Sequence, residues 1–184
     1  LGCESSQNNI LLMNHWIFTI ILLLCFSIHG AFSQTVTNSV KYTSTNKRAI
    51  KCLEEGKKAF EIKNDILAEK QLLKALEYDN NFIEAALGLA NLYQLTNRHV
   101  KGIEYYKKAI AINPKFYQNA FYFMAISQLY IGEYAEAKSN LETYLKFDRI
   151  NPNIKEEAQR YIVNATFAAD AVKNPQPFNP QNVG

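Results

Sequence analysis

Apolar positions in the middle of the chain recur with the three- and four-residue steps of an α-helix, and this pattern returns at a fixed interval. The clearest copy covers residues 83–116, with the small residue Ala90 in a first helical run and Gly102 in a second. Gly56 lies 34 residues before Ala90, and Ala125 lies 35 residues after it. An interval near 34 residues predicts an array of stacked helical hairpins, because each hairpin must bury its apolar face against the next one.

Small residues and turn residues hold fixed places in the copies of this pattern. A small residue in each helix of a hairpin lets the two helices pack closely, and a larger side chain there would hold them apart. Asn-Pro pairs end the second and third copies, whereas the first copy ends at residues 79–81 without a proline. The residues that define the repeat are Gly56, Ala68, Ala90, Gly102, Ala109, Pro114, Ala125, Gly132, Tyr134 and Ala137.

The spacing of these residues resembles the tetratricopeptide repeat, whose period is about 34 residues. The run from Gly132 through Tyr134 to Ala137 is similar to the turn that leads into the second helix of such repeats. The resemblance implies an all-α fold, an α–α superhelix of three helix-turn-helix units with a C-terminal capping helix, spanning residues 47–173. The predicted units are 49–82, 83–116 and 118–151, and the predicted capping helix is 153–173.

The first 33 residues are predicted to be upstream residues followed by a signal peptide, with Met13 as the natural start. Residues 17–28 are apolar apart from two hydroxyl side chains, and a run of this length suits the core of a signal peptide better than a membrane span. Cleavage after Ser33 would place small residues at the −3 and −1 positions relative to the cleavage site. The alternative is an uncleaved anchor over residues 10–28. Residues 34–46 are polar and lack a helical period, which predicts a flexible lead-in.

Composition and charge exclude several classes of function. The net charge of +3 is too small for a nucleic-acid-binding face, and Lys and Arg are interleaved with Glu. After signal cleavage, Cys52 and His99 would be the only cysteine and histidine, which leaves no disulfide and no zinc site of the usual ligand count. Both are predicted to pack in the core. No catalytic motif is present, so we expect no enzyme activity, no metal and no cofactor.

The remaining candidate site is the concave groove that the first helix of each unit would line. Counting from the small residue of each first helix also places Leu53 and Leu129 in the predicted groove. These positions would give the groove an amphipathic wall that can form hydrogen bonds. Such a wall suits an extended peptide or a partner helix. The alternative is that these side chains only solvate the groove. The predicted groove residues are Lys57, Phe60, Leu87, Asn91, Gln94, Tyr122 and Ile126.

The tail, residues 174–184, holds three prolines and predicts an extended linker to a missing downstream domain. Its run of residues 177–180, with Asn182 and Gly184, resembles the start of the propeller in a family of Bacteroidota envelope proteins. Those proteins join tetratricopeptide repeats, a WD-like β-propeller and an OmpA-like peptidoglycan-binding domain.

The family resemblance implies the N-terminal part of an exported, periplasm-facing scaffold associated with the outer membrane. It further implies a protein or peptide partner in the envelope, and an accessory role in type IX secretion or gliding. Peptidoglycan would be bound only by the missing C-terminal domain. The alternative is a stand-alone periplasmic adaptor or chaperone that binds exported polypeptides. The oligomeric state stays open in both interpretations.

Overall fold

The computed structural model describes residues 41–175, and within this range the chain forms α-helices without strands. The all-α prediction is therefore confirmed for this part of the chain. The predictions for the signal peptide, the Met13 start, residues 34–40 and residues 176–184 lie outside the described residues. The helices are α1 (Lys47–Glu61), α2 (Asp65–Tyr78), α3 (Ile83–Leu95), α4 (His99–Ile112), α5 (Asn119–Tyr130), α6 (Tyr134–Tyr144) and α7 (Pro152–Lys173).

Consecutive helices pair into three hairpin units, and α7 packs on the last of them. Unit 1 comprises α1 and α2, unit 2 comprises α3 and α4, and unit 3 comprises α5 and α6. Together they form an α–α superhelix. None of the helices within residues 41–175 combines the length and the apolar character needed to cross a bilayer.

Local sequence explains where the first two helices begin. The Asn46 side chain accepts hydrogen bonds from the backbone N–H groups of Arg48 and Ala49 at the start of α1, and the Asn64 side chain accepts one from Leu67 in α2. Asn residues are preferred caps because a short side-chain oxygen satisfies N–H groups that have no partner within the helix.

The turn inside each unit uses one residue in the left-handed conformation. Lys63, Asn97 and Gly132 occupy the same place in units 1, 2 and 3, with φ values of 57°, 57° and 82°. Only unit 3 places a glycine there, and glycine adopts this conformation without steric cost. The shared backbone angle therefore comes from the shape of the hairpin rather than from a shared residue type.

Close contact between the two helices of a unit accounts for the small residues of the repeat. A Cβ atom at Gly56 would lie 2.9 Å from Cγ of Leu72, and one at Gly102 would lie 3.3 Å from the carbonyl oxygen of Ala90. Ala68 and Ala90 are fully buried, as are Ala125 and Ala137 in unit 3. Longer side chains at these positions would force the paired helices apart.

Residues 42–46 are anchored on the array, so the prediction of a flexible lead-in over 34–46 is wrong for them. The Tyr42 ring packs edge-on against the buried Phe82, with ring centroids 6.0 Å apart. The Thr43 hydroxyl accepts a hydrogen bond from the backbone N–H of Ile83, 3.3 Å away, and so caps the start of α3. This segment thereby joins unit 1 to unit 2.

A charged cluster ties units 1 and 2 together outside the groove. The Glu69 carboxylate on α2 lies 2.6 Å from Nη1 of Arg98 and accepts a hydrogen bond of 2.7 Å from the Tyr93 hydroxyl. Arg98 also stacks over the Tyr93 ring, 4.5 Å from its centroid. Burial alone would raise the pKa of Glu69, but Tyr93 and Arg98 outweigh it and hold that pKa below its ordinary value.

The lowered pKa of Glu69 predicts an acid-dependent loss of stability. A carboxylate with a depressed folded-state pKa stabilises the fold above the ordinary glutamate pKa, and this contribution is lost as pH falls through the folded-state value. Glu69→Gln should lower the free energy of unfolding at neutral pH, because it removes the charge that pairs with Arg98. The loss should be only about 1 kcal/mol, since solvent partly screens this ion pair. The variant should also lose less stability than wild type between about pH 6 and about pH 3 in urea titrations.

The matched control is Glu77→Gln, which removes an exposed carboxylate from the same helix. Its pH dependence should follow that of wild type. Parallel pH profiles for wild type and Glu69→Gln would contradict the assigned role of the cluster.

Candidate peptide-binding groove

The first helices of units 1 and 2 enclose a pocket of about 220 Å³ on the groove side of the array. Its floor is the side chain of Leu72, which reaches up from α2 between α1 and α3. We call this space the first pocket. Leu53, Gly56, Phe60 and Gly88 complete its apolar surface, and its polar lining residues are Lys57, Glu61, Glu84 and Asn91.

A second pocket, of about 320 Å³, lies at the next junction, between units 2 and 3. Tyr106 of α4 takes the place that Leu72 has in the first pocket, since the two residues are 34 positions apart. Gly88 and Asn91 line both pockets, so the two spaces adjoin across α3. The lining residues of the second pocket are Leu87, Gly88, Asn91, Tyr106, Tyr117 and Phe123.

The repeat makes the two pockets equivalent, and one position distinguishes their walls. Gly88 in unit 2 corresponds to Phe123 in unit 3, 35 residues later. A Cβ atom at Gly88 would lie 3.1 Å from Cδ2 of Leu72. The first pocket therefore has one aromatic side chain, Phe60, beside aliphatic and backbone surfaces, whereas the second has three aromatic side chains.

Two of the three charged residues that line the first pocket, Lys57 and Glu84, are already paired within the fold. Nζ of Lys57 lies 3.0 Å from the Tyr42 hydroxyl, 3.6 Å from Oε1 of Glu54 and 4.7 Å from the centroid of the Tyr42 ring. Burial would lower the pKa of Lys57, but Tyr42 and Glu54 outweigh it and raise that pKa. The Glu84 carboxylate accepts hydrogen bonds from the backbone N–H of Thr43, at 2.9 Å, and from its hydroxyl.

Gln94, predicted to face the groove, instead holds the second pocket together. Its Nε2 donates to the backbone carbonyl of Phe123 at 3.1 Å, and its Oε1 accepts from the Tyr106 hydroxyl at 2.9 Å. Tyr106 is 2% exposed, and this burial raises its pKa, so its hydroxyl stays a proton donor. Both polar ends of the Gln94 amide are therefore used by the fold.

Tyr122 and Ile126 do not form an open wall of the groove, which corrects the prediction for unit 3. Tyr122 is 6% exposed and packs against Tyr144 and Ala158, with 5.7 Å between the two tyrosine ring centroids. Ile126 belongs to the same cluster. The terminal helix α7 supplies Ala158 and covers this face, because the last unit of an array exposes an apolar surface that must be buried.

Five predicted groove residues line the pockets, and several lining residues were not predicted. The five are Leu53, Lys57, Phe60, Leu87 and Asn91. Alignment of the units could have identified Gly88, because it is a glycine where the next unit has an aromatic residue.

Within the described range, no group of three or more His, Cys, Asp or Glu side chains is placed to hold a metal ion.

Solved structures with the same arrangement of helices identify the fold. The second tetratricopeptide domain of human RPAP3, in complex with the HSP70 peptide SGPTIEEVD, matches with a TM-score of 0.57 and 18% identity over 65% of this chain and 95% of that one. The chain has the tetratricopeptide-repeat fold. The TPR2B domain of yeast Sti1 in complex with an Hsp70 peptide matches this array with a TM-score of 0.57 and 21% identity, covering 65% of this chain and 97% of that one.

A bacterial structure shares the tetratricopeptide fold as well. The type III secretion translocator chaperone SycD of Yersinia enterocolitica has a TM-score of 0.55 and 18% identity, over 67% of this chain and 85% of that one. At these identities the likeness shows the fold alone. No protein-family profile matches the sequence, and the search of curated proteins finds no match.

The Gln94–Tyr106 contact predicts a measurable coupling. Gln94→Leu should destabilise the array by about 1–3 kcal/mol, because it leaves the buried Tyr106 hydroxyl and the Phe123 carbonyl without this partner. Tyr106→Phe in the Gln94→Leu background should cost less than in wild type, by about 1 kcal/mol in a double-mutant cycle of denaturant titrations. Additive effects would show that the hydrogen bond does not support the second pocket.

Proposed function

We propose that this tetratricopeptide array is a non-enzymatic interaction module that holds an extended polypeptide segment across units 1 and 2. The observation that carries the proposal is the pair of adjoining pockets on either side of Asn91. The Asn91 side chain is exposed and has no hydrogen-bond partner among residues 41–175, so its donor and its acceptor are free to bind a ligand. An extended chain presents backbone groups that an amide of this kind can bind, while its side chains enter the pockets.

The charge of the groove argues against the type of ligand seen in the eukaryotic neighbours. The RPAP3 domain is in complex with a peptide that ends in Glu-Glu-Val-Asp. In this chain, Lys57 is the one cation that lines either pocket in the described part, and it already faces Tyr42 and Glu54. Glu61 and Glu84 add negative charge beside it. An acidic peptide would therefore meet repulsion here, and a neutral apolar segment fits better.

A selection with an unbiased peptide library tests the proposed function. The purified protein should enrich a set of peptides, whose affinities are then measured by fluorescence anisotropy. Asn91→Ala should weaken their binding by about 5- to 30-fold, the equivalent of about 1–2 kcal/mol of hydrogen bonding. The control is Asn164→Ala, an exposed helical asparagine of α7 outside both pockets.

Both substitutions place alanine in a helix and should not reduce stability. Failure to enrich any peptide would overturn the proposed function, as would equal affinities for wild type and Asn91→Ala.

For the cellular setting, we propose an exported scaffold of the cell envelope, in an OmpA-like protein linked to the outer membrane and peptidoglycan. An accessory role in type IX secretion or gliding is the specific form of this proposal. Its support is the signal-like run at residues 17–28 and the propeller-like run at 177–180. A stand-alone periplasmic adaptor or chaperone for exported polypeptides is the second candidate, favoured by the apolar lining of both pockets.

The gene downstream of the Gly184 codon separates these two settings. The scaffold requires an open reading frame that continues into a propeller and an OmpA-like domain. A stop codon at this point in the genomic sequence would contradict the scaffold and favour the adaptor. Neither result changes the expected outcome of the library selection.

A further inference from the structure

We propose that the first pocket receives one basic side chain of an otherwise neutral segment, arginine in preference to lysine, with its cation at the Glu61 carboxylate. This proposal rests on the proposed function and names the class of residue that the first pocket selects. It follows from three features of that pocket, namely a carboxylate without a partner, an excess of negative charge, and an apolar interior with one aromatic side chain.

Glu61 offers a carboxylate that the fold does not use. It is the last residue of α1, is exposed, and lines the first pocket. Lys57 precedes it by four residues on the same helix, but Nζ of Lys57 lies 3.0 Å from the Tyr42 hydroxyl and 3.6 Å from Oε1 of Glu54. Within residues 41–175, the Glu61 carboxylate has neither an ion pair nor a hydrogen bond. A ligand cation can therefore pair with it without displacing an existing contact.

The first pocket carries more negative than positive charge. Lys57, Glu61 and Glu84 line it. Glu54 lies beside them as the partner of Lys57, so three carboxylates accompany one ammonium. The groups that bind Glu84 are the backbone N–H and the hydroxyl of Thr43, which are neutral and leave its charge uncompensated. A cation that enters the pocket is therefore attracted, whereas an anion is repelled.

The interior of the first pocket fits the stem of a long basic side chain. A cavity of about 150 Å³ can hold a benzene molecule, so the volume of about 220 Å³ admits one large side chain. Leu53 and Leu72 supply aliphatic surface. Lysine and arginine bury their methylene stems on such surface while the charged end stays in water. Because Glu61 both lines the pocket and is exposed, it meets the cation at the solvent boundary.

Phe60 favours arginine over lysine. It is half-buried, lines the first pocket and directly precedes Glu61 in α1. A planar guanidinium stacks on an aromatic face and pairs with a carboxylate through two parallel N–H groups, whereas an ammonium is a point charge. Arginine can therefore use Phe60 and Glu61 together. The second pocket has aromatic side chains but, among the described residues that line it, no charged one, so this combination is specific to the first pocket.

The peptides from the library selection test the residue class. They should carry arginine or lysine at one aligned position more often than the input library does. The tightest of them is then synthesised with arginine, lysine, methionine or glutamate at that position, methionine being an unbranched neutral replacement. Isothermal titration with the whole protein should give Kd values that rise in this order, with arginine about 5- to 30-fold tighter than methionine. Raising the salt from about 0.05 M to about 0.5 M should reduce this ratio, because salt screens an exposed ion pair.

A second measurement locates the cation. Glu61→Gln should weaken the binding of the arginine peptide by about 3- to 10-fold but leave the affinity of the methionine peptide unchanged. The matched control is Glu77→Gln. Glu61 and Glu77 are both exposed carboxylates within the last two positions of a helix, but only Glu61 lines a pocket. Removing a negative charge near a helix C-terminus does not reduce stability, so both variants should fold, which circular dichroism verifies.

Absence of basic residues from the enriched peptides, equal affinities for the arginine and methionine peptides, or equal losses for Glu61→Gln and Glu77→Gln would overturn the proposal. A lysine peptide as tight as the arginine peptide would overturn the preference assigned to Phe60. The proposed function is judged separately. If the selection enriches peptides that depend on Asn91 but lack a basic residue, the groove binds polypeptides and only the proposed residue class is wrong.

Discussion

Close packing between the two helices of each unit is the constraint on which the rest of the structure depends. Gly56 has no side chain where a Cβ atom would approach Cγ of Leu72 to 2.9 Å, and Gly102 has none where the Ala90 carbonyl oxygen is 3.3 Å away. Because the main chains come this near, the Leu72 side chain reaches between the first helices of units 1 and 2 and becomes a floor of the groove. The contact that builds the hairpin therefore also shapes the first pocket.

Repetition of this hairpin repeats the pocket, and substitutions at equivalent positions change its chemistry. Leu72 and Tyr106 form the two floors, and Gly88 in one unit corresponds to Phe123 in the next. Two pockets with different floors and walls thus adjoin across α3. The chemistry of each pocket depends on a few side chains, whereas the recurrence of the pocket is a property of the repeated backbone.

Both ends of the described groove are covered, which leaves unit 2 at the centre of the open surface. At one end, residues 42–46 pack on α1 and α3 and pair with the charges beside the first pocket. At the other end, α7 buries Tyr122 and the rest of its cluster. Each of these two segments buries an apolar stacking surface that the terminal unit would otherwise expose. The exposed Asn91 lies between these covers, on the helix that both pockets share.

The sequence by itself determined the repeat, the order of its helices and the residues at which paired helices meet, because helical periodicity and steric size act over short stretches of chain. The same local register placed Lys57, Phe60, Leu87 and Asn91 on the groove. Only the tertiary structure decided which groove positions stay open. Gln94 bonds to Phe123, 29 residues away, and Tyr122 packs under α7, so both are taken up by contacts between units. How one unit stacks on the next depends on residues distant in sequence, and periodicity within a unit does not encode it.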